Sequence, residues 1–222
     1  MARERNPHST VEWTVVIPVK GAPGAKSRLG PAVADDARAV LARAFALDTI
    51  AAALGAEAVT RVIVVGEDPT SAGGADFVPE STADEGGGGL DAAIRLGVAR
   101  ARADTPVAVA VLLGDLPALR SEELDAALAA AARHPLAFVR DADGTGSTLA
   151  TAGAGVAFEP RFGIDSAARH AASGFVELAA SDLPGLTRDV DTVDGLETVL
   201  HHGVGDHTAE AVARLADRKG TP

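Results

Sequence analysis

The chain has 222 residues, 47% of them hydrophobic, enough for one domain with a sizeable core; with only 3% aromatics that core is mostly Ala, Val and Leu. A formal charge of −11 argues against a nucleic-acid footprint, and the absence of cysteine excludes disulfides and thiolate zinc sites. No run approaches ~18 consecutive apolar residues and residues 1–12 hold no apolar signal segment, so the expectation is a soluble cytoplasmic protein that binds neither membrane nor nucleic acid.

Residues 1–12 read as a flexible tail ahead of a single domain over 13–219. Trp13-Thr-Val-Val-Ile-Pro-Val19 is expected as a first buried strand. Lys20-Gly-Ala-Pro-Gly-Ala-Lys-Ser-Arg-Leu29 follows it. Its glycines permit close backbone approach, and Lys20, Lys26 and Arg28 supply charge for phosphates; the plainer alternative is a solvated basic loop. The spacing is not that of a Walker A loop. Asp35 to Leu54 is expected to be helical on a stripe of Leu41, Phe45, Leu47, Ile50 and Leu54. Arg61–Val65 reads as a second buried strand and Asp76–Pro79 as a short edge strand. The glycines before Leu90 lead into a helix with Leu90, Ile94 and Val98 on one side, either as a nucleotide loop or as a surface connection.

Val107 to Leu113 is an unbroken run of small and branched apolar residues, bounded by Gly114 and Pro117. It reads as a strand buried on both faces. Asp115 then stands just past its carboxyl end, where open α/β sheets bind ligands. With no other charge in the run before it, this carboxylate either meets a cation or caps a turn. Ser121 is expected to cap a helix with Glu122 and Glu123 in its first turn, and Leu136–Val139 to form another strand. The order β-α-β-(β)-α-β-α-β implies an α/β fold: a mostly parallel sheet with helices on both faces.

Asp143-Gly-Thr-Gly-Ser-Thr148 reads as a turn rich in hydroxyls. In Phe162-Gly-Ile-Asp-Ser-Ala-Ala-Arg-His170, Asp165 or Ser166 is placed to start a helix. Its free N–H groups, the Ser166 hydroxyl and the Gly163 backbone would make an anion site; the alternative is a helix cap alone. Asp189 and Asp191 stand at i and i+2, which in a strand puts both carboxylates on one face. Such a pair repels unless a cation sits between them, and a hard divalent metal answers that need. Thr192 then caps a helix buried through Leu196, Val199 and Leu200, and residues 207–219 form a polar terminal helix or tail.

Taken together, Val16-Ile-Pro-Val-Lys20, Ala25-Lys-Ser-Arg-Leu29, Gly114-Asp-Leu-Pro-Ala-Leu119, Gly144-Thr-Gly-Ser147, Arg161-Phe-Gly163, Asp165-Ser-Ala-Ala-Arg-His170 and Asp189-Val-Asp-Thr192 resemble the phosphoenolpyruvate/2-phospho-L-lactate guanylyltransferases. These make the guanylylated intermediate in biosynthesis of the deazaflavin coenzyme F-420. The resemblance implies a nucleotide-diphospho-sugar-transferase, Rossmann-like fold, with GTP as nucleotide and phosphoenolpyruvate or 2-phospho-L-lactate as acceptor. Asp115, Asp189 and Asp191 would hold Mg2+ and, with Lys26, carry the catalysis. The acceptor would meet Ser147 or Thr148, then Gly163 and Ser166. Lys20, Lys26 and Arg28 would meet the triphosphate, with Gly88, Asp91 and Gly114 also at the nucleotide. Guanine offers N–H donors, which a carboxylate of the Glu80–Asp91 region such as Glu85 or Asp84, or a backbone carbonyl there, would accept. Asp91 departs from the family's Leu-Asn pattern. A homodimer is a further expectation.

The residues fit that chemistry independently. A phosphate monoester has a second pKa of ~6 and needs no general base to attack. No G-x-S-x-G or H-E-x-x-H pattern is present, and the six histidines show no metal-ligand spacing. The rivals are another nucleotidyltransferase, of molybdenum-cofactor guanylyltransferase or sugar-phosphate cytidylyltransferase type, and a non-catalytic nucleotide-binding protein. The Arg161–His170 segment argues against the first two and the aspartates against the third.

Overall fold

The computed structural model describes residues 11–19, 35–80 and 89–219. Their elements run β1 (Trp13–Val19), α1 (Asp35–Gly55), β2 (Val59–Gly66), β3 (Asp76–Pro79), α2 (Leu90–Ala101), β4 (Ala108–Leu112), α3 (Ser121–Ala131), β5 (Leu136–Arg140), β6 (Ser147–Ala152), α4 (Ser166–Ala172), β7 (Val176–Glu177), α5 (Pro184–Thr187), α6 (Val193–His202) and α7 (Asp206–Lys219). The strands form one sheet in the order β3-β2-β1-β4-β6-β5-β7. As expected, the three strongest apolar runs are adjacent at its centre and parallel, with β3 at one edge. Against expectation, Ser147 and Thr148 begin a strand rather than close a turn. β6 runs antiparallel to both β4 and β5, while β7 is parallel to β5.

That reversal places the start of β6 beside the carboxyl end of β4. Leu112 pairs with Leu149, and the Leu113 amide donates to the Thr148 carbonyl at 2.9 Å. The hairpin between β5 and β6 closes on Asp141, whose carboxylate accepts from the Thr145 and Gly146 amides at 3.0 and 2.7 Å. A Cβ on Gly146 would stand 2.2 Å from Asp141 Oδ2, so the approach requires glycine.

Alternate residues of the buried strands supply two cores. On one side Val15, Ile17, Val64 and Leu112 pack against Ile50 and Ala53 of α1 and Leu124 and Leu128 of α3. On the other, Val16, Ile63, Val65 and Val111 pack against Ile94 and Val98 of α2, with Phe138, Ala167 and Phe175. Val11 packs against the first core, so the described end of the expected tail joins the fold. A third layer forms where Leu41 and Phe45 of α1 meet Val199 of α6 and Ala211 of α7. Because α1 is covered on two sides, it buries Ala44, Ala46, Asp48 and Thr49 as well as Leu41, Phe45 and Ile50 of its stripe, while Leu47 is half-buried and Leu54, expected inside, is 42% exposed at the helix end. Ser121 does not cap α3. Arg120 is the N-cap, with its amide donating to Glu123 Oε2 at 3.1 Å, and the Ser121 hydroxyl reaches across to the Ala52 carbonyl at 2.9 Å. Among the described residues no helix is long and apolar enough to cross a membrane.

Asp48 fixes the third layer. Its carboxylate, buried on α1, accepts from the His207 and Thr208 amides at 3.0 and 2.8 Å and so caps α7 from another helix. Gly205 permits the approach, since a Cβ there would lie 2.4 Å from Asp48 Cγ. Asp48→Ala is therefore expected to cost about 1–3 kcal/mol. Thermal denaturation should show the loss as a Tm lower by roughly 2–4 °C per kcal/mol. Gly205→Ala should destabilise in the same direction, and an unchanged Tm in both variants would remove this tie from the supports of the fold.

Candidate active site

The loop after β4 is held from three directions. Thr49, buried on α1, donates its hydroxyl to Phe45 O at 2.9 Å and accepts from the Leu116 amide at 3.1 Å. The Pro117 carbonyl accepts from Gly205 N at 2.9 Å, and the Asp115 carbonyl accepts from Val190 N at 3.0 Å. Val190 is fully buried in the third-layer core, so its two neighbours turn the other way. Asp189 and Asp191 thereby face Asp115. One carboxylate oxygen from each of the three lies within 4.8 Å of the others, and all three residues are half-buried. The same-side placement expected of the pair is present without the strand invoked for it: residues 188–191 carry no strand pairing. Three hard oxygen donors at this spacing fit a divalent cation such as Mg2+ or Mn2+, whose charge would offset their mutual repulsion.

The expected hydroxyls sit at the start of β6, bonded to the end of β4 through Leu113 N and Thr148 O, and at the start of α4. Val139 pairs with Leu149 but Arg140 pairs with Ser147, so Thr148 is an extra residue on β6, a β-bulge. Leu149 faces the α1 side, and strict alternation would turn Ser147 there too. The bulge instead sends Ser147 to the α4 side, where its Oγ lies 3.1 Å from His170 Nδ1. Thr148 Oγ1 is buried with no hydrogen-bond partner among the described residues. Ser166 opens α4 after Asp165, which adopts the left-handed conformation at φ 54° as N-cap but makes no side-chain cap bond. The Ser166 hydroxyl, almost fully buried, stands 3.8 Å from the position a Gly146 Cβ would take. The expectation of free amides at this helix start is corrected in part. Ser166 N donates to Gly163 O and Ala167 N to Thr145 O, each at 3.1 Å, which leaves the hydroxyl as the group Ser166 offers. Gly163 holds φ 97°, a conformation that favours glycine, with Arg169 against it.

Gly114 bridges the ends of β1 and β4, and its Cβ position is 3.3 Å from Ile17 Cγ2 and 3.4 Å from Pro18 O. Asp91 stands in the first turn of α2 with Oδ1 buried and unpartnered among the described residues. Lys20, Lys26, Arg28, Asp84, Glu85 and Gly88 lie outside the described residues. Two residues of the site had been given no role. His170 is one. Arg188 is the other: its Nε is buried without a partner among the described residues, and it lines a cavity of about 390 Å³ with Arg140, Asp141, Glu177 and Thr187. A cation directly before an acidic pair was the available signal for Arg188.

A family model described as guanylyl transferase CofC like matches residues 13–217. The chain belongs to this family. Phosphoenolpyruvate guanylyltransferase of Streptomyces scabiei (strain 87.22) is 49% identical over 211 residues, covering 92% of this chain and 98% of that protein. The Geodermatophilus obscurus protein of the same name is 49% identical over 218 residues, covering 94% and 97%. Among solved structures, one described as a nucleotide-diphospho-sugar transferase from Desulfovibrio desulfuricans G20 aligns with TM-score 0.69 at 18% identity over 94% of this chain and 96% of that one. A manganese complex of Rv0371c from Mycobacterium tuberculosis H37Rv aligns with TM-score 0.51 at 20% identity over 87% and 100%. At these identities the structural likeness speaks for the fold, and it agrees with the Rossmann-like nucleotide-diphospho-sugar-transferase architecture expected of the sequence.

In this guanylyl transferase CofC-like chain burial strongly displaces the proton equilibrium of His170. The ring is fully buried, stacked on Phe138 at 5.6 Å and edge-on to Phe162 and Phe175 at 5.0 and 4.9 Å. Burial, aided by the Arg169 and Arg161 charges, pushes the imidazole down to about 4 against the opposing pull of the Ser166 main chain. The folded protein thus holds His170 neutral while an unfolded chain protonates it near pH 6.5. Its contribution is complete above that pH and is lost as pH falls toward about 4, at up to about 1.4 kcal/mol per pH unit. Urea denaturation between pH 7 and pH 4 should show a steeper loss for the native chain than for His170→Phe, and parallel curves would show that the ring is solvated.

Proposed function

We propose that this chain transfers GMP from GTP to the phosphate of phosphoenolpyruvate, with Mg2+ as the divalent cation. An acceptor phosphate oxygen attacks the α-phosphorus of GTP. One P–O bond forms, the bond from that phosphorus to the β-bridging oxygen breaks, and pyrophosphate leaves with its electron pair. The observation that carries this reading is the cluster of Asp115, Asp189 and Asp191 just past the carboxyl end of β4, with the β6 bulge bonded to that same strand end through Leu113 N and Thr148 O. No side chain has to remove a proton, because the acceptor phosphate is already largely dianionic at neutral pH. What the reaction requires is alignment and charge neutralisation. Mg2+ held by the three aspartates would supply the neutralisation. The name shared by the bacterial relatives supports phosphoenolpyruvate over 2-phospho-L-lactate.

In this reading Thr148 and Ser166, with the Gly163 backbone, take the acceptor carboxylate, and Ser147 flanks them. Thr148 is favoured over Ser147 for direct contact because its hydroxyl has no partner among the described residues, whereas Ser147 meets His170. Lys20, Lys26 and Arg28 balance the triphosphate. Gly88, Asp91 and Gly114 serve the nucleotide, and Glu85 accepts from the guanine edge.

Pyrophosphate release from GTP, Mg2+ and phosphoenolpyruvate tests the reading. Turnover should exceed that with ATP or with 2-phospho-L-lactate at matched concentrations; faster turnover with the lactate would reassign the acceptor. Asp115→Asn, Asp189→Asn and Asp191→Asn should each lower kcat by about a hundredfold or more. Their melting temperatures in EDTA should change little, since the Val190–Asp115 main-chain bond and the buried Val190 hold these segments without the carboxylates; a large fall would make that aspartate structural. Ser166→Ala deletes a hydrogen bond to a charged group, worth roughly 1.5–3 kcal/mol. It should therefore raise the acceptor KM about tenfold or more while leaving the GTP KM nearly unchanged. Weakened GTP binding instead would assign this pocket to the nucleotide.

A further inference from the structure

His170 is costly where it stands. It fills a cage of Phe138, Phe162 and Phe175 with a polar ring, its Nε2 has no hydrogen-bond partner among the described residues, and a fourth phenylalanine would occupy similar volume without a polar penalty. What the ring gains lies at its other nitrogen. Nδ1 is 3.1 Å from Ser147 Oγ, on the bulge of β6. Nε2 is buried with no partner among the described residues, and a buried N–H without an acceptor costs more than an unmet lone pair, so the proton belongs on Nδ1. With the proton there, Ser147 Oγ accepts and keeps its own O–H to donate.

The two residues belong to different sides of the acceptor site proposed above. Ser147 and Thr148 come from β6, and Ser166 with Gly163 from the start of α4. A main-chain bond, Ala167 N to Thr145 O at 3.1 Å, joins the two sides, and the contact of Ser147 Oγ with the His170 ring is a side-chain link between them.

We propose that His170 is a positioning residue for acceptor binding: as the Nδ1–H tautomer it staples the β6 bulge to α4 and so sets the spacing between the hydroxyls of Ser147 and Thr148 and that of Ser166. This rests on the acceptor pocket assigned above. The ring touches no reacting atom. Its neutral state at working pH keeps the staple in a single protonation form.

The test combines kinetics with a readout that needs no turnover. His170→Phe keeps the cage filled and removes the staple; His170→Asn presents an N–H near the Nδ1 position. His170→Phe should raise the phosphoenolpyruvate KM about tenfold with the GTP KM unchanged, and His170→Asn should recover most of that loss. In a Ser147→Ala background, His170→Phe should add little further effect, because the link is already cut. Additive effects, an equal change in the GTP KM, or a native acceptor KM in His170→Phe would overturn the proposal. Independently, nitrogen NMR of histidine-labelled protein should find His170 protonated at Nδ1, with a signal that shifts in Ser147→Ala. An Nε2–H tautomer would overturn the proposal whatever the enzyme transfers. Failure of the native chain to release pyrophosphate would refute the functional reading and leave the NMR result to decide the staple.

Discussion

The site depends on one main-chain hydrogen bond, from the Val190 amide to the Asp115 carbonyl at 3.0 Å. It joins the loop after the central strand to a segment near the far end of the chain. The burial of Val190 fixes which way its neighbours point. Carboxylates placed this close repel. A backbone bond combined with an apolar anchor holds their segments in place without depending on the charge it supports. The Thr49 hydroxyl on Leu116 N and the Gly205 amide on Pro117 O brace the same loop from α1 and from the turn before α7.

The third layer therefore does more than cover α1. Asp48 caps α7 while Gly205, one residue before that helix, ties back to Pro117. The C-terminal helices and the acidic rim share one chain of hydrogen bonds. The pocket at the other side of β4 is built on a different principle. There an antiparallel strand and a bulge overturn the alternation that a regular strand would impose, which lets Ser147 meet α4. Bulges re-aim side chains at functional sites for this reason.

Charge is unevenly divided around the end of β4. Three carboxylates gather on one side, while the start of β6 and of α4 carry neutral hydroxyls. Arg188 stands directly before the acidic pair and lines the cavity beside β7. In the proposed reaction the first group would hold the cation and the second the acceptor.

By itself the sequence determined the three buried parallel strands, the helices between them and the acidic residues at their carboxyl ends. Those features are written in local apolar runs, in helical periodicity, and in Gly114-Asp115 and Asp189-Val-Asp191. The cap at Thr192 was likewise legible, since its hydroxyl accepts from Gly195 N at 3.1 Å. Tertiary structure alone decided four things. Ser147 to Ala152 became a strand because all six residues are buried between β4 and β5, which short hydroxyl-rich residues do not announce. Asp189 and Asp191 faced one way through the burial of Val190 rather than through strand pairing. Ser121 turned to α1 and left the cap to Arg120, because the Ala52 carbonyl lay within its reach. His170 became a buried neutral ring only because three phenylalanines, distant from one another in sequence, closed around it. Periodicity records which face of an element is apolar; it does not record which partner that face will meet.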